Sequence, residues 1–410
     1  MKAGPVVWVV LAVFAQESVW NFYDSQVPAQ LRQYLTSAGL IGLIMGMDNL
    51  LGVLVQPWMG NVSDRRAGGR RGRWPLILAG AAVAAVPFAL IPWTNSLPLL
   101  LVCIVGFALT ANAFKGITET LVSDYVDPGH RSKAQGFIKA GVSLTIVVSS
   151  LISLLVVDRS LELAFAIPAV LMVILFAVSW AFLGRRHSRY VRPERRETAP
   201  EAESPALVTV VKELIRDPSG SRLLLMAGVF CFAGMWSALR TLLTPYGTEV
   251  LGLTRGAAGG LSLPGAIAFL IGVVPIAYAS TRLGQFRAIR YGLVVFLAGL
   301  LVGYAAPNTA MTVIALALCS IGYAAFAVNA LVALWNLAPS DHVLGTYTGL
   351  YTVASASGMA LGPALLGVAV DLTGWRHMFL DAAVFAAVTL FVFGRLTDRH
   401  RTNSTDLEAS

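Results

Sequence analysis

The sequence predicts an all-α integral membrane protein of twelve transmembrane helices in two pseudo-symmetric six-helix bundles. Three observations predict it. The 410 residues are 56% hydrophobic and 13% charged, where a soluble globular chain carries about 25% charged residues. Apolar runs long enough to cross hydrocarbon, about 20 residues each, recur from end to end. The longest hydrophilic stretch falls midway, with six apolar runs on either side. A water-soluble enzyme is excluded by composition alone.

The elements follow in order from apolar runs punctuated by Gly, Pro and charge. The first begins at Pro5 and continues through Glu17, Asn21 and Asp24 with no small-residue cleavage site, so it reads as a retained helix rather than a secretory signal. The twelve spans fall at about 6–31, 37–61, 74–93, 97–125, 133–157, 161–183, 221–247, 256–280, 287–306, 310–337, 343–370 and 376–395. Residues 1–183 therefore form an N-terminal bundle and 221–395 a C-terminal bundle. Between them, 184–220 is rich in Arg, Glu and Pro without apolar period and reads as a cytoplasmic linker. Residues 396–410 read as a cytoplasmic tail.

A formal net charge of +8 would suggest nucleic acid in a soluble protein. Here the basic residues collect after even-numbered spans: Arg65, Arg66, Arg70, Arg71 and Arg73, then Arg131 and Lys133, then the linker, then Arg282, Arg287 and Arg290, and finally Arg395, Arg399 and Arg401. The segments after odd spans offer Arg32, Arg159, Arg255 and Arg376. By the positive-inside rule both termini lie in the cytoplasm of a multi-pass plasma (inner) membrane protein. The charge reports topology, and no nucleic-acid partner is expected.

Cys103, Cys231 and Cys319 lie singly inside apolar runs, which predicts neither disulfide nor metal site. His130, His187, His342, His377 and His400 sit at helix ends or in loops, with no HExxH pattern. No cofactor, no metal and no enzymatic activity are expected.

The halves resemble each other. After span two the chain reads Gly60-x3-Asp64-Arg65, then Arg71-Gly72-Arg73; after span eight it reads Ser280-Thr281-Arg282-Leu283-Gly284. Asp127-Pro128 after span four is echoed by Pro339-Ser340-Asp341 after span ten. Parallel duplication of six-helix units places a solute site near the midplane between halves that rock against each other. The Gly60-x3-Asp64-Arg65 segment resembles the cytoplasmic signature loop of the major facilitator superfamily, and the resemblance extends over nearly the whole chain. It implies the major facilitator fold and a cytoplasmic gate of Gly60, Asp64, Arg65, Arg71, Arg73 and Arg282. In that gate the acid and the Arg residues lock the helix ends beneath the two halves.

Ionisable groups inside hydrocarbon are costly and mark function. Glu17, Asn21 and Asp24 fall at i, i+4 and i+7 on the first helix, one stripe. Asn112, Lys115, Glu119 and Ser123 make a second stripe on span four, with Lys115 and Glu119 spaced to pair within their own helix. Span two adds Asp48, Asn49 and Gln56; Asp24 and Asp48 stand toward the outer ends of their spans. Trp236, Arg240, Asn329 and Asn336 are the polar and aromatic counterparts in the second half. Glu17 lies halfway down its helix with no cation within one turn, where a bare carboxylate is costly, which suits a group that loads and releases a proton.

The segment Gln56-Pro57-x2-Gly60-x3-Asp64-Arg65 followed by Gly72-Arg73-Trp74-Pro75 resembles the proton-coupled sucrose symporters of plants and their animal relatives, within the glycoside symporters. Glu17 matches an acid that the animal members carry in their first helix, and Lys115-Gly116-x7-Asp124 lies where the plant members have a Gln-Gly…Asp stretch. Glu119 stands where the plant members carry Arg, and Gln56 where the sodium-coupled melibiose-type members carry an acid. The resemblance implies proton-coupled symport of a small solute of the sugar or glycoside class. Glu17, Glu119 and Lys115 would handle the proton. Asn21, Asp24, Asn112, Gln56, Trp236, Arg240, Asn329 and Asn336 would contact the solute. The alternative is proton-driven efflux of drugs or secondary metabolites; antiporters of that kind carry a Gly-Pro motif in span five, and 136–157 contains no proline. The expected partners are a small molecule, protons and the bilayer, and the expected working unit is a monomer.

Overall fold

A computed structural model describes residues 3–67, 72–126, 131–186, 220–337 and 344–408. Among them there is no strand, and twelve helices are long and apolar enough to cross a membrane. In chain order, the first half comprises α1 (Ala3–Arg32), α2 (Ala38–Ala67), α3 (Trp74–Leu90), α4 (Leu97–Tyr125), α5 (Arg131–Ile152) and α6 (Leu161–Phe182). A π-helical turn, Ser153–Val157, extends α5. The second half comprises α7 (Ser221–Glu249), α8 in two pieces (Arg255–Gly260 and Ser262–Leu283), α9 (Gln285–Ala305), α10 (Thr309–Asn336), α11 (Leu344–Thr373) and α12 (Met378–Glu408). Span limits agree with the sequence reading within a few residues. The helix of α12 runs on through most of the segment expected as a tail, and most of the expected linker lies outside the described residues.

Local signals fix the helix starts. The Ser160 Oγ accepts from Leu163 N at 3.1 Å, the Thr254 Oγ1 from Ala257 N at 3.3 Å, and the Asn308 Oδ1 from Met311 N at 3.0 Å. Each satisfies a donor that the first helical turn leaves open. Pro75 occupies the first turn of α3, where its missing N–H removes no bond.

Each half encloses its own core. Phe22, Phe88, Phe107 and Phe165 interlock in the first half, with ring centroids 5.1–6.4 Å apart. Phe232, Phe296 and Phe326 do so in the second. The halves meet most closely where α11 lies between α2 and α7. A Cβ added at Gly42 or Gly46 would overlap the carbonyls of Pro363 and Ala360, and one at Gly362 would overlap the Gly234 carbonyl. Only glycine permits that backbone approach. The Gly358-x3-Gly362-Pro363-x3-Gly367 run of α11 is thus a packing surface.

The end of the bundle where α1 begins is called the near end, and the opposite one the far end. Hydrogen bonds between described residues of the two halves cluster at the far end. Arg32 pairs with Glu249 at 3.0 Å. Arg255 donates to Gln26 Oε1 at 3.0 Å and to Gln30 Oε1 at 2.7 Å. Asp158, after the π turn of α5, accepts from Thr254 Oγ1 at 2.6 Å and Gly256 N at 2.8 Å, at the start of α8. Asp371, near the end of α11, accepts from Ser37 Oγ at 2.6 Å, Ala38 N at 2.7 Å and Gly39 N at 3.0 Å, at the start of α2. This is a conformation sealed at the far end.

Candidate functional site

Beneath that seal lies a cavity of about 600 Å³ between the halves, walled by α1, α2, α4, α5, α7, α10 and α11. It reaches from Asp24 and Asp48 down to Pro57 and Glu119, and Glu119 is solvent-exposed. The stripe expected on α1 faces it, as do Asn112, Lys115 and Glu119 of the stripe on α4, which explains why they interrupt apolar spans: their side chains line a cavity rather than lipid. Ser123, the last of the α4 stripe, lies outside the cavity lining and donates to the Thr120 carbonyl.

The geometry revises the expected pairing. Lys115 Nζ lies 3.2 Å from Glu17 Oε1, across the α4–α1 boundary. Spacing along one helix pairs Lys115 with Glu119 and offers Glu17 no cation within one turn. Helix crossing, invisible to spacing along one helix, brings the two stripes together instead. Lys115 also sits 5.6 Å above the Trp20 ring, an arrangement that favours a cation.

Arg240 crosses from the second half. Its Nη2 donates to Asn21 Oδ1 at 2.6 Å and lies 3.7 Å from Asp24 Oδ2. Asn21 Nδ2 in turn donates to Thr145 Oγ1 of α5 at 2.7 Å. Asp24, placed by sequence toward the outer boundary, therefore belongs to the cavity wall. Gln56 Nε2 donates to Asn112 Oδ1 at 2.9 Å, and Asn112 Nδ2 to the Asp48 carbonyl at 3.0 Å, tying α2 to α4 along the wall. Trp236 lines the cavity and stacks on Tyr323, centroids 4.2 Å apart and planes 8° off parallel.

Two expected contact residues stand elsewhere. Asn329 is buried and donates to Ser280 Oγ and to the Ala325 carbonyl, both at 2.8 Å, so it joins α10 to the near end of α8. Asn336 is exposed at the end of α10. Neither lines the cavity. Conversely, Asp48, Asn49, Tyr323 and Tyr351 line it and were not expected to touch solute. Asp48 was legible as an ionisable residue in an apolar span, whereas the two tyrosines carry no signal in spans already rich in aromatics.

The near-end lock also differs from expectation. Arg73 Nη2 lies 2.7 Å from Asp64 Oδ1, and its Nε 3.0 Å from Asp124 Oδ2. Its Nη1 donates to Ser63 Oγ at 2.6 Å. These contacts tie α2, α3 and α4 of the first half together, rather than one half to the other, in this conformation. Arg65 is exposed, Arg282 stacks over Tyr278 at 5.3 Å within its own helix, and Arg71 lies outside the described residues. A Cβ at Gly60 would meet nothing within 4 Å.

Comparison with known proteins agrees with this architecture. A stretch of 155 residues is 24% identical to the tetracycline resistance protein, class B, of Escherichia coli, and covers 37% of each protein, so the match spans about a third of that relative's length. Among solved structures, a bacterial homologue of the human lysosomal transporter Spinster, inward-facing and occupied, superposes with a TM-score of 0.75 at 15% identity over 96% of both chains. The nucleoside transporter NupG, in a mutant form, superposes at 0.76 and 13% identity over 96% of this chain and 99% of that one. A peptide transporter, POT, in a mutant form with sulfate, gives 0.70 at 14% identity over 96% and 95%. At such identities these likenesses show the fold. The family model for the Major Facilitator Superfamily matches residues 9–290 and 261–409. The chain belongs to the Major Facilitator Superfamily and is a membrane transporter of small molecules, not an enzyme.

Proposed function

We propose that this transporter couples solute movement to protons by alternating access, with the far end outward and both termini in the cytoplasm of the plasma (inner) membrane. The excess of Arg and Lys in the near-end segments supports that orientation. The observation that carries the coupling is the Lys115–Glu17 pair at 3.2 Å in the cavity wall. A proton arriving on Glu17 removes the counter-charge of Lys115. The ammonium is then free to turn toward Glu119, one helical turn nearer the cytoplasm, and the halves can rearrange about the solute. A carboxylate left charged and unpaired at mid-membrane would oppose that passage by roughly 2.5–3.5 kcal/mol. Asn21 and Arg240 link the halves one helical turn closer to the far end, so a solute that takes over these donors and acceptors also releases the second half.

The solute reading is symport of a sugar or glycoside. Amides of Asn21, Gln56 and Asn112 from the first half and the Trp236 ring from the second offer hydroxyl-binding and stacking groups around one cavity. Proton-driven efflux is the second reading, and one observation favours it: an apolar chamber adjoins the polar cavity. The 24% likeness to a tetracycline resistance protein points the same way.

The test is purified protein in liposomes loaded with a pH-sensitive dye, challenged with disaccharides, glycosides and lipophilic drugs. Lumen acidification on adding a sugar or glycoside outside is the expected result. Proton exit on adding a drug, with sugars silent, would replace symport by efflux. Solute flux without proton movement under either gradient would remove the coupling.

A further inference from the structure

The central site is divided. Beside the polar cavity lies a second one, of about 680 Å³, between α5, α7, α8 and α10. The two share a wall of Val142, Ile146, Trp236, Arg240 and Tyr323. The second chamber is lined mainly by aliphatic and aromatic side chains, including Leu239, Phe269, Val273 and Leu316. Its two charged lining residues are Lys139 and Arg240, and Arg240 is already engaged by Asn21 and Asp24.

The polar chamber is unbalanced in the opposite sense. Glu17, Asp24, Asp48 and Glu119 line it against Lys115 and Arg240. Glu17 and Asp24 have those cations within 4 Å. Glu119 has Lys115 one turn away and Lys139 of α5 within electrostatic range. Asp48 Oδ1 accepts from Asn49 N at 2.6 Å and Nδ2 at 2.7 Å, and Lys115, already engaged by Glu17, lies within electrostatic range of it. Among the described residues no cation lies within ion-pair distance of it. Trp20, whose ring lines the same chamber, has an indole N–H that is buried without an acceptor.

We propose that the transported solute, whether a glycoside taken up or a drug expelled, is an amphipathic organic cation. Its positively charged head sits in the polar chamber beside Asp48, and its apolar body passes the Trp236–Tyr323 stack into the chamber between α5 and α8. A cationic head lowers the formal charge of the polar chamber from −2 to −1, and aromatic faces at the dividing wall attract a cation as well as an apolar ring. A neutral sugar can offer Asp48 a hydroxyl donor but leaves the charge of the polar chamber uncompensated and the apolar chamber unused. An amine-bearing glycoside with an apolar aglycone fits both. The inference rests on the reading of the polar cavity as the transport site.

Four probes separate the two chambers: (naphthylmethyl)trimethylammonium, tetramethylammonium, 2-naphthyl glucoside and naphthylacetate, each titrated against the full-length protein in nanodiscs. The naphthyl cation is expected to bind at least about tenfold more tightly than the other three. Asp48→Asn should remove that preference while leaving the protein folded. Alkylation of the Val273→Cys variant should be slowed by the naphthyl cation and not by tetramethylammonium, which reports on the apolar chamber without enlarging a side chain. Equal or tighter binding of the neutral glucoside or of naphthylacetate overturns the inference, as does failure of all four to bind or unprotected alkylation of Val273→Cys. The transport-site reading is tested separately: it fails if the probe that binds does not shield a Gln56→Cys variant in the polar cavity, whichever charge that probe carries.

Discussion

Asp158 and Asp371 occupy equivalent places in the two halves and do the same thing to the opposite one. Asp158 follows the fifth helix of the first half and accepts from a hydroxyl and a backbone N–H at the start of the second helix of the second half. Asp371 ends the fifth helix of the second half and accepts from a hydroxyl and two backbone N–H groups at the start of the second helix of the first. The positive end of each helix macrodipole thus meets a carboxylate from across the interface. Thr254 and Ser37 play matching parts, each capping its own helix while donating to the foreign acid. The duplication visible in the loops is therefore repeated in the far-end seal.

Replacing either acid should loosen that seal. Asp158→Asn and Asp371→Asn each weaken charge-assisted bonds, by about 1–2 kcal/mol. The expected outcome is increased alkylation of cysteines introduced at the far end of the cavity, roughly fivefold or more for each variant and larger for the double variant. Unchanged labelling would show that the seal rests on the glycine contacts of α2 with α11.

Those contacts give their own prediction. Gly46→Ala sets a methyl against the Ala360 carbonyl and should destabilise this conformation by about 1–3 kcal/mol, since overpacking against backbone finds little relief. Gly60→Ala meets nothing and, lying inside α2, should hold or slightly raise the thermal midpoint of the purified protein. Equal effects of the two substitutions would contradict the packing described.

Arg73 and Arg65 form a similar contrast. Arg73 is 7% exposed and bridges Asp64 and Asp124, so Arg73→Gln should cost about 2–4 kcal/mol of stability in detergent, most of it from leaving Asp124 without its cation. Arg65 is exposed, and Arg65→Gln should stay within about 0.5 kcal/mol of the parent.

The Lys115–Glu17 pair should show coupling in a double-mutant cycle. Glu17→Gln and Lys115→Gln each leave one partner unmatched in the cavity wall. The double variant should recover about 1 kcal/mol or more of the summed losses. Additive losses would mean that the two groups do not sense each other.

The sequence carried the twelve spans, the duplication and the polar stripes of α1 and α4, because all of these depend on short-range pattern. It did not carry which stripe faces which. Glu119 is at pairing distance from Lys115 along one helix, yet the ammonium is drawn to Glu17 on a helix far away in the chain. Asp24 and Asp48 read as boundary residues because depth was counted along each helix alone, whereas the cavity extends up to them. Asn329 reads as a ligand because it is polar inside an apolar span, and its amide is instead used to hold α10 to α8. Tyr323, the stacking partner of Trp236, left no mark, since aromatic residues are common throughout membrane spans.

The proposed role of Glu17 as carrier of the coupled proton is tested by comparing two fluxes in liposomes containing the Glu17→Gln protein. One is solute accumulation driven by a proton gradient, and the other is exchange of labelled for unlabelled solute with no gradient. Gradient-driven accumulation is expected to fall at least about tenfold and to lose its pH dependence, while exchange continues because the solute groups are intact. Accumulation with its pH dependence unchanged would contradict that role.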